Sequence, residues 1–293
     1  MRSGYLFIAG LLLTGCVYKA GPDKAGLKPT VCTVNYPLAY FAERIAGDQV
    51  ELVFPEMDGD PAFWEPKPAQ VSAFQKADLI LLNGADYAKW IPAASLPQDR
   101  TVNTAAGLEA DFIALDGTGS HAHGAGGAHV HGDIAFTLWL NPELAMQQAE
   151  AVYEALSPIV ELREEALGKL IADLEELDTE LAQVFQSLED RPLLGSHPVY
   201  QYLAARYNLT MESVHWEPDS EPDQAMWREL EDILETHQAD VMFWEDEPLP
   251  QVKKALAGKG IKSVVFNPCG NRPDDGDFMT VMHANLAAVK TIK

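Results

Sequence analysis

The chain has few basic residues and few cysteines, and each shortage excludes a class of protein. Lys and Arg total 21 against 44 Asp and Glu, which gives a formal net charge of −23. Nucleic-acid binding depends on basic surfaces that neutralise phosphates, so we expect no nucleic-acid partner. Of the 3 cysteines, Cys32 and Cys269 lie in opposite halves of the chain. We therefore expect two free buried thiols and no disulfide between them.

Two further absences concern membranes and catalysis. The apolar run Tyr5–Leu13 is too short for a transmembrane helix, which needs about 20 apolar residues. No phosphate-cradling glycine loop and no glycine-flanked nucleophile occur, so we expect a binding protein and not an enzyme.

The N-terminus is instead typical of a lipoprotein signal peptide. Arg2 precedes the apolar run, and two small residues come directly before Cys16. Residues 1–16 are therefore predicted to be the signal peptide, with Cys16 lipidated as the first residue of the mature chain. Residues 17–29, rich in glycine and proline, are predicted to form a tether. We expect an extracytoplasmic protein attached to a membrane by this lipid anchor.

Short β-branched and apolar runs alternate with helical periodicity along the rest of the chain. This alternation predicts an α/β fold with two lobes, residues 30–160 and 190–293, each a mostly parallel sheet flanked by helices. An uninterrupted apolar stripe predicts a long helix over residues 161–189. Periodicity alone leaves open whether this helix is an ordinary core helix or a bridge between the lobes. We expect a monomer with a ligand cleft at the carboxyl ends of the strands.

Residues 119–132 are rich in Gly, Ala and His, which indicates a flexible loop. It carries two His-x-His pairs, His121 with His123 and His129 with His131, called here the loop histidines. Imidazole is a common ligand of zinc, copper and nickel, so the loop histidines are candidate metal ligands. The alternative is a solvated low-complexity linker.

Seven short motifs occur in an order and spacing that resemble the ABC-importer solute-binding proteins for zinc and manganese, cluster A-I, family 9. They are Asn35–Pro37 with Ile45–Asp48, Asp60–Pro61 with Glu65–Pro68, Trp139–Pro142, Gly195–His197, Glu221–Pro222, Glu245, and Asn267–Gly270. The resemblance covers essentially the whole mature chain. It implies two α/β lobes joined by one long rigid helix, a metal in the cleft and an ABC permease as partner.

The chain departs from that family at three of its four usual metal ligands. The resemblance implies histidines where Ala62 and Thr137 stand, and an acidic residue where Asn267 stands; only the histidine at His197 is kept. The usual site therefore cannot form from the usual positions, because tight zinc sites need three or four strong donors. On this basis the N-terminal lobe would supply no strong donor.

Three alternatives remain open at the cleft. A site for zinc or another divalent transition metal could use His197 with His215 and Glu245. Aromatic rings could instead hold an organic cation or a metal chelate by cation–π and stacking contacts, although each tryptophan could equally be a core residue. The residues considered for such a ligand cleft are Trp64, Glu65, Thr137, Trp139, Trp216, Trp244 and Asn267. Finally, a degenerate binder could serve as an extracytoplasmic interaction or assembly protein.

Overall fold

The computed structural model describes most of the chain beyond the N-terminal segment. The described residues are 26–55, 57, 59–115, 120–123, 127–130, 134–188 and 190–292. The predicted signal peptide with Cys16, and the predicted tether up to residue 25, lie outside the described residues. None of the described helices is both long and apolar enough to cross a membrane.

The N-terminal lobe is built on a four-stranded parallel sheet with the order β2-β1-β3-β4. Its strands are Thr30–Thr33 (β1), Glu51–Val53 (β2), Leu79–Leu82 (β3) and Thr101–Asn103 (β4). The helices of this lobe are Tyr36–Ala46 (α1), Pro68–Lys76 (α2) and Pro142–Leu156 (α3). The inner strand β1 is buried on both faces, and its residues Val31 and Cys32 have no exposed surface. That burial is what a parallel sheet covered by helices requires.

A two-stranded antiparallel hairpin lies between β4 and α3 in the chain. It comprises Ser120–His123 (β5) and Gly127–Val130 (β6), with His121 opposite His129 in the register. The described part of the predicted flexible loop is thus a hairpin, because the two segments form a backbone ladder. His131 lies outside the described residues.

The C-terminal lobe repeats the same plan, with a parallel sheet in the order β10-β9-β7-β8. Its strands are Leu193–Gly195 (β7), Met211–Ser213 (β8), Val241–Trp244 (β9) and Lys262–Val265 (β10). Its helices are Gln201–Tyr207 (α5), Gln224–Thr236 (α6), Pro250–Gly258 (α7) and Phe278–Val289 (α8). The predicted class of two α/β lobes is therefore confirmed.

The long helix that connects the lobes is Glu164–Gln186 (α4), a span of about 35 Å at 1.5 Å per residue. One side of it is buried, at Leu170, Leu174, Leu177, Leu181 and Phe185. It packs against α1 and α3 of the first lobe and against α5 and α8 of the second. Because its apolar stripe is shared by both lobes, α4 is the bridge that periodicity alone left undecided.

The lobes also touch where the strands of both sheets end. Trp139 Nε1 donates a hydrogen bond to Pro268 O at 2.7 Å, and Tyr36 N donates to Gly270 O at 2.8 Å. The hydroxyl of Thr137 donates to Val199 O. These bonds close the boundary between the lobes and bring their loops into one region.

Candidate metal-binding cleft

His197 lies two residues beyond the end of β7 and is 7% exposed. The backbone around it is tied to the neighbouring strands, since Ser196 N donates to Phe243 O at 2.8 Å and Trp216 N donates to Ser196 O at 2.6 Å. The carboxyl ends of β7, β8 and β9 therefore meet beside this imidazole, which is where ligands bind in open α/β sheets.

Three further side chains surround His197. Its Nδ1 lies 3.3 Å from Glu245 Oε1, and its Nε2 lies 4.0 Å from Glu217 Oε1. The ring of His215 stands edge-on to that of His197, with the centroids 5.7 Å apart. We call these four residues the cleft cluster. Two imidazoles and two carboxylates are donors that suit a divalent transition metal.

Asp60 approaches the cleft cluster from the N-terminal lobe. Its Oδ1 accepts a hydrogen bond from Ala62 N at 2.8 Å and so caps the short helical turn Pro61–Phe63. Burial first, and then the charge of Glu245, raise the pKa of Asp60 to about 7, while the Ala62 hydrogen bond and His197 lower it. A carboxylate of the first lobe is therefore within electrostatic reach of the second.

The same negative charges also raise the pKa of His197. Burial lowers the pKa of His197, but the hydrogen bond to Glu245 and the charges of Glu245, Glu217 and Asp60 outweigh it and raise that pKa above its usual value. A metal ion binds neutral imidazole only. A proton on His197 therefore competes with a metal at higher pH than it would on an ordinary imidazole.

The three positions that depart from the family pattern are integrated into the local structure. Ala62 has no exposed surface, and Thr137 is 3% exposed and hydrogen-bonded to Val199 O. Asn267 Oδ1 accepts from Cys269 N at 2.7 Å, at a turn where Cys269 has φ 59°. Each of the three residues is thus buried or hydrogen-bonded to the backbone at a position where the family pattern has a metal ligand.

Three of the four tryptophans considered for an aromatic ligand cleft are buried. Trp216 and Trp244 have no exposed surface and belong to the core of the C-terminal lobe, and Trp139 is 2% exposed. Side chains alternate along an extended segment. Because His215 and Glu217 face the cleft, Trp216 between them faces the core. Trp64 is half-buried and packs against Phe74 and Trp90, while Glu65 is exposed.

Two residues of this region did not emerge from the sequence. Glu217 could have been found from His215, because residues two apart on an extended segment share a face. The sequence indicated Asp60 only weakly. It is the carboxylate of the Asp-Pro pair that comes just before Ala62, where the family pattern has a histidine. It is a donor that the expectation for the N-terminal lobe left out.

As they stand, no three His, Cys, Asp or Glu side chains of the described residues are grouped to hold one ion. The two cysteines offer no thiolate either. Cys32 and Cys269 are buried and free, and burial raises the pKa of each thiol to about 12. A metal would therefore have to draw the imidazoles and carboxylates of the cleft together.

Residues 31–292 match the protein family described as ZnuA, zinc-uptake complex component A periplasmic. The chain belongs to this family. A high-affinity zinc uptake system protein ZnuA of Bacillus subtilis is 28% identical over 98% of this chain and 96% of its own length. A zinc-binding lipoprotein AdcA of Streptococcus pneumoniae is 25% identical over 99% of this chain, which spans only 61% of that relative.

Solved structures of the family share the two-lobed fold. The metal-dependent lipoprotein YcdH of Bacillus subtilis superposes with a TM-score of 0.72 at 25% identity, over 90% of this chain and 98% of the other. The Zn(II)-bound ZnuA-like domain of Streptococcus pneumoniae AdcA gives a TM-score of 0.71 at 23% identity, with 90% of this chain and 98% of that domain covered.

Proposed function

We propose that this chain is the extracytoplasmic solute-binding protein of an ABC-type metal importer. It captures a divalent transition metal, with zinc as the first candidate, and delivers it to the permease in the membrane. Its relatives are named as a zinc-binding lipoprotein and a zinc uptake system protein, and this supports the proposal. A lipid on Cys16 would hold the monomeric protein at the membrane surface beside the permease.

The cleft cluster is the observation that carries this proposal. His197, His215 and Glu245 come from the ends of three adjacent strands and face the boundary with the other lobe. Zinc is bound in proteins by histidine nitrogen at about 2.0–2.1 Å and by carboxylate oxygen at about 2.0–2.2 Å. Ring rotations and small loop shifts are needed to bring these donors from their metal-free spacing to such distances.

The decisive measurement is zinc binding by the mature chain with each of the loop histidines replaced by Gln. This chain should bind one zinc ion by isothermal titration, and His197→Ala should abolish that binding. His283→Ala is the matched control, because His283 is exposed on α8 and away from the cleft cluster. If His197→Ala binds zinc as tightly as the control, the cleft is not a metal site.

Complementation tests the transport role separately. In a bacterium that lacks its own zinc-binding component but keeps a cognate permease, the wild-type gene should restore growth under zinc limitation, and His197→Ala should not. Failure of both genes to restore growth would favour the interaction or assembly role, and equal restoration would show that zinc delivery does not depend on His197. The loop histidines, of which His121 and His129 are paired in the backbone register of the β5–β6 hairpin, are proposed as a second and weaker collecting site.

A further inference from the structure

Tyr87 has a buried hydroxyl group for which no described residue serves as hydrogen-bond partner. The side chain is 2% exposed, and its ring lies against Phe136 and Trp139, with centroids 5.2 and 5.5 Å away. A buried hydroxyl without a partner is unfavourable, so its position requires an explanation. The proposed function assigns no role to this residue.

The hydroxyl lies at the boundary between the lobes. A Cβ atom added at Gly270 of the second lobe would lie 3.3 Å from Tyr87 Oη and 3.9 Å from Pro61 Cδ. The segment after Tyr87 is tied to the Asp60 turn, because Lys89 N donates to Ala62 O at 3.0 Å. Tyr87 Oη and Pro61, which follows Asp60 directly, therefore meet the same glycine of the opposite lobe.

Two carboxylates act on this hydroxyl. Burial first, and then the charges of Asp60 and Glu245, raise the pKa of Tyr87 well above its usual value. The phenol therefore keeps its proton and remains a donor, and each ionised carboxylate beside it is an acceptor only. The hydroxyl can therefore donate to a carboxylate that comes within hydrogen-bond distance.

We propose that Asp60 is the ligand that the N-terminal lobe contributes to the cleft metal, and that Tyr87 positions it by donating a hydrogen bond from its hydroxyl to the Asp60 carboxylate. This inference rests on the proposed function. A carboxylate has about four lone-pair sites. It can accept from Ala62 N and from Tyr87 while one oxygen binds the ion. Metal-binding carboxylates are commonly held by hydrogen bonds of this kind.

As a metal ligand, Asp60 connects the N-terminal lobe to the ion. His197, His215 and Glu245 all belong to the C-terminal lobe, so a metal bound by them alone would add no link between the lobes. With Asp60 as a ligand, the ion bridges the two lobes. Tyr87 then acts through Asp60 and does not touch the metal.

The test uses zinc titrations of the mature chain with each of the loop histidines replaced by Gln. Asp60→Asn keeps an oxygen that can cap Ala62 N but removes the charge, and should weaken zinc binding at least 10-fold. Tyr87→Phe should weaken it by about 10-fold, as loss of a supporting hydrogen bond does. Asp86→Asn and Tyr153→Phe are the matched controls and should change it less than twofold.

A double-mutant cycle separates positioning from mere packing. If Tyr87 acts through Asp60, Tyr87→Phe should have no further effect on affinity in the Asp60→Asn background. Independent effects that multiply would overturn the role of Tyr87. Zinc binding by Asp60→Asn within twofold of the parent, while His197→Ala abolishes it, would overturn the role of Asp60 and leave the proposed function standing. A parent that binds no zinc would overturn both.

Discussion

Replacing Asp60 by Asn should stabilise the metal-free protein at neutral pH, although Asp60 is proposed as a ligand. The carboxyl group is half-buried, and the charges of Glu245 and Glu217 oppose its ionisation. Burial and these charges raise its pKa from 3.8 to about 7. The asparagine oxygen can still accept the hydrogen bond from Ala62 N, so the change removes a charge and keeps the cap.

The sign and size of this change in the free energy of unfolding follow from proton linkage. Between about pH 4 and pH 7 the folded protein holds a proton on Asp60 that the unfolded chain has released, so the free energy of unfolding falls as pH rises. At 1.36 kcal/mol per pKa unit, the shift sets an upper bound of about 4 kcal/mol. Since Asp60 is only half-buried and is coupled to Glu245 and His197, we expect about 2 kcal/mol.

Urea denaturation in EDTA from pH 4.5 to 8.5 measures this effect. Wild type and Asp60→Asn should be equally stable near pH 4.5, and the variant should gain about 2 kcal/mol by pH 7.5, whereas Asp86→Asn should follow wild type. His197 has a raised pKa too, and its stabilising contribution is lost as pH rises above about 6.5. Because the charge of Asp60 is one cause of the raised His197 pKa, the difference between the curves measures Asp60 together with this coupling. Parallel curves for wild type and Asp60→Asn would contradict the electrostatic argument.

Three other predictions concern metal binding. Zinc affinity of the cleft should fall as pH decreases, because the raised pKa of His197 makes its proton compete with the metal above the usual imidazole range. Titrations at pH 8 and 6 measure this, and equal affinities would contradict it. Replacing the loop histidines by Gln should lower zinc stoichiometry in equilibrium dialysis, and an unchanged value would leave the hairpin as a linker. Ala62→His, Thr137→His and Asn267→Asp together should raise zinc affinity by orders of magnitude by titration, unless the parent already binds at nanomolar strength.

Much of the fold could be predicted from the sequence because its signals are local. The runs around β1 and β3 are apolar and short, and helical segments follow β1 and precede β3. The stripe from Leu170 to Phe185 predicted α4 to within three residues at each end. Its bridging role came only from the resemblance, since a buried stripe does not say which lobes bury it.

The cleft was harder to predict because it depends on which side of a segment faces the other lobe. Trp216 and Trp244 are next to candidate ligands in the sequence. Because successive side chains point to opposite sides of an extended segment, the two indole rings lie in the core. The same alternation indicates Glu217. Asp60 could not be deduced in this way, because its proximity to Glu245 depends on how the two lobes meet.

The departures from the family pattern also show why its ligands cannot be restored one at a time. The Thr137 hydroxyl donates across the lobe boundary to Val199 O, so a histidine there removes one link between the lobes while adding a donor. Ala62 has no exposed surface, and a larger side chain must displace its neighbours. Asn267→Asp keeps the oxygen that accepts from Cys269 N but adds a negative charge to a cleft that already holds three carboxylates. Each single change therefore opposes folding or closure, and only a bound cation that joins the new ligands can offset the three together.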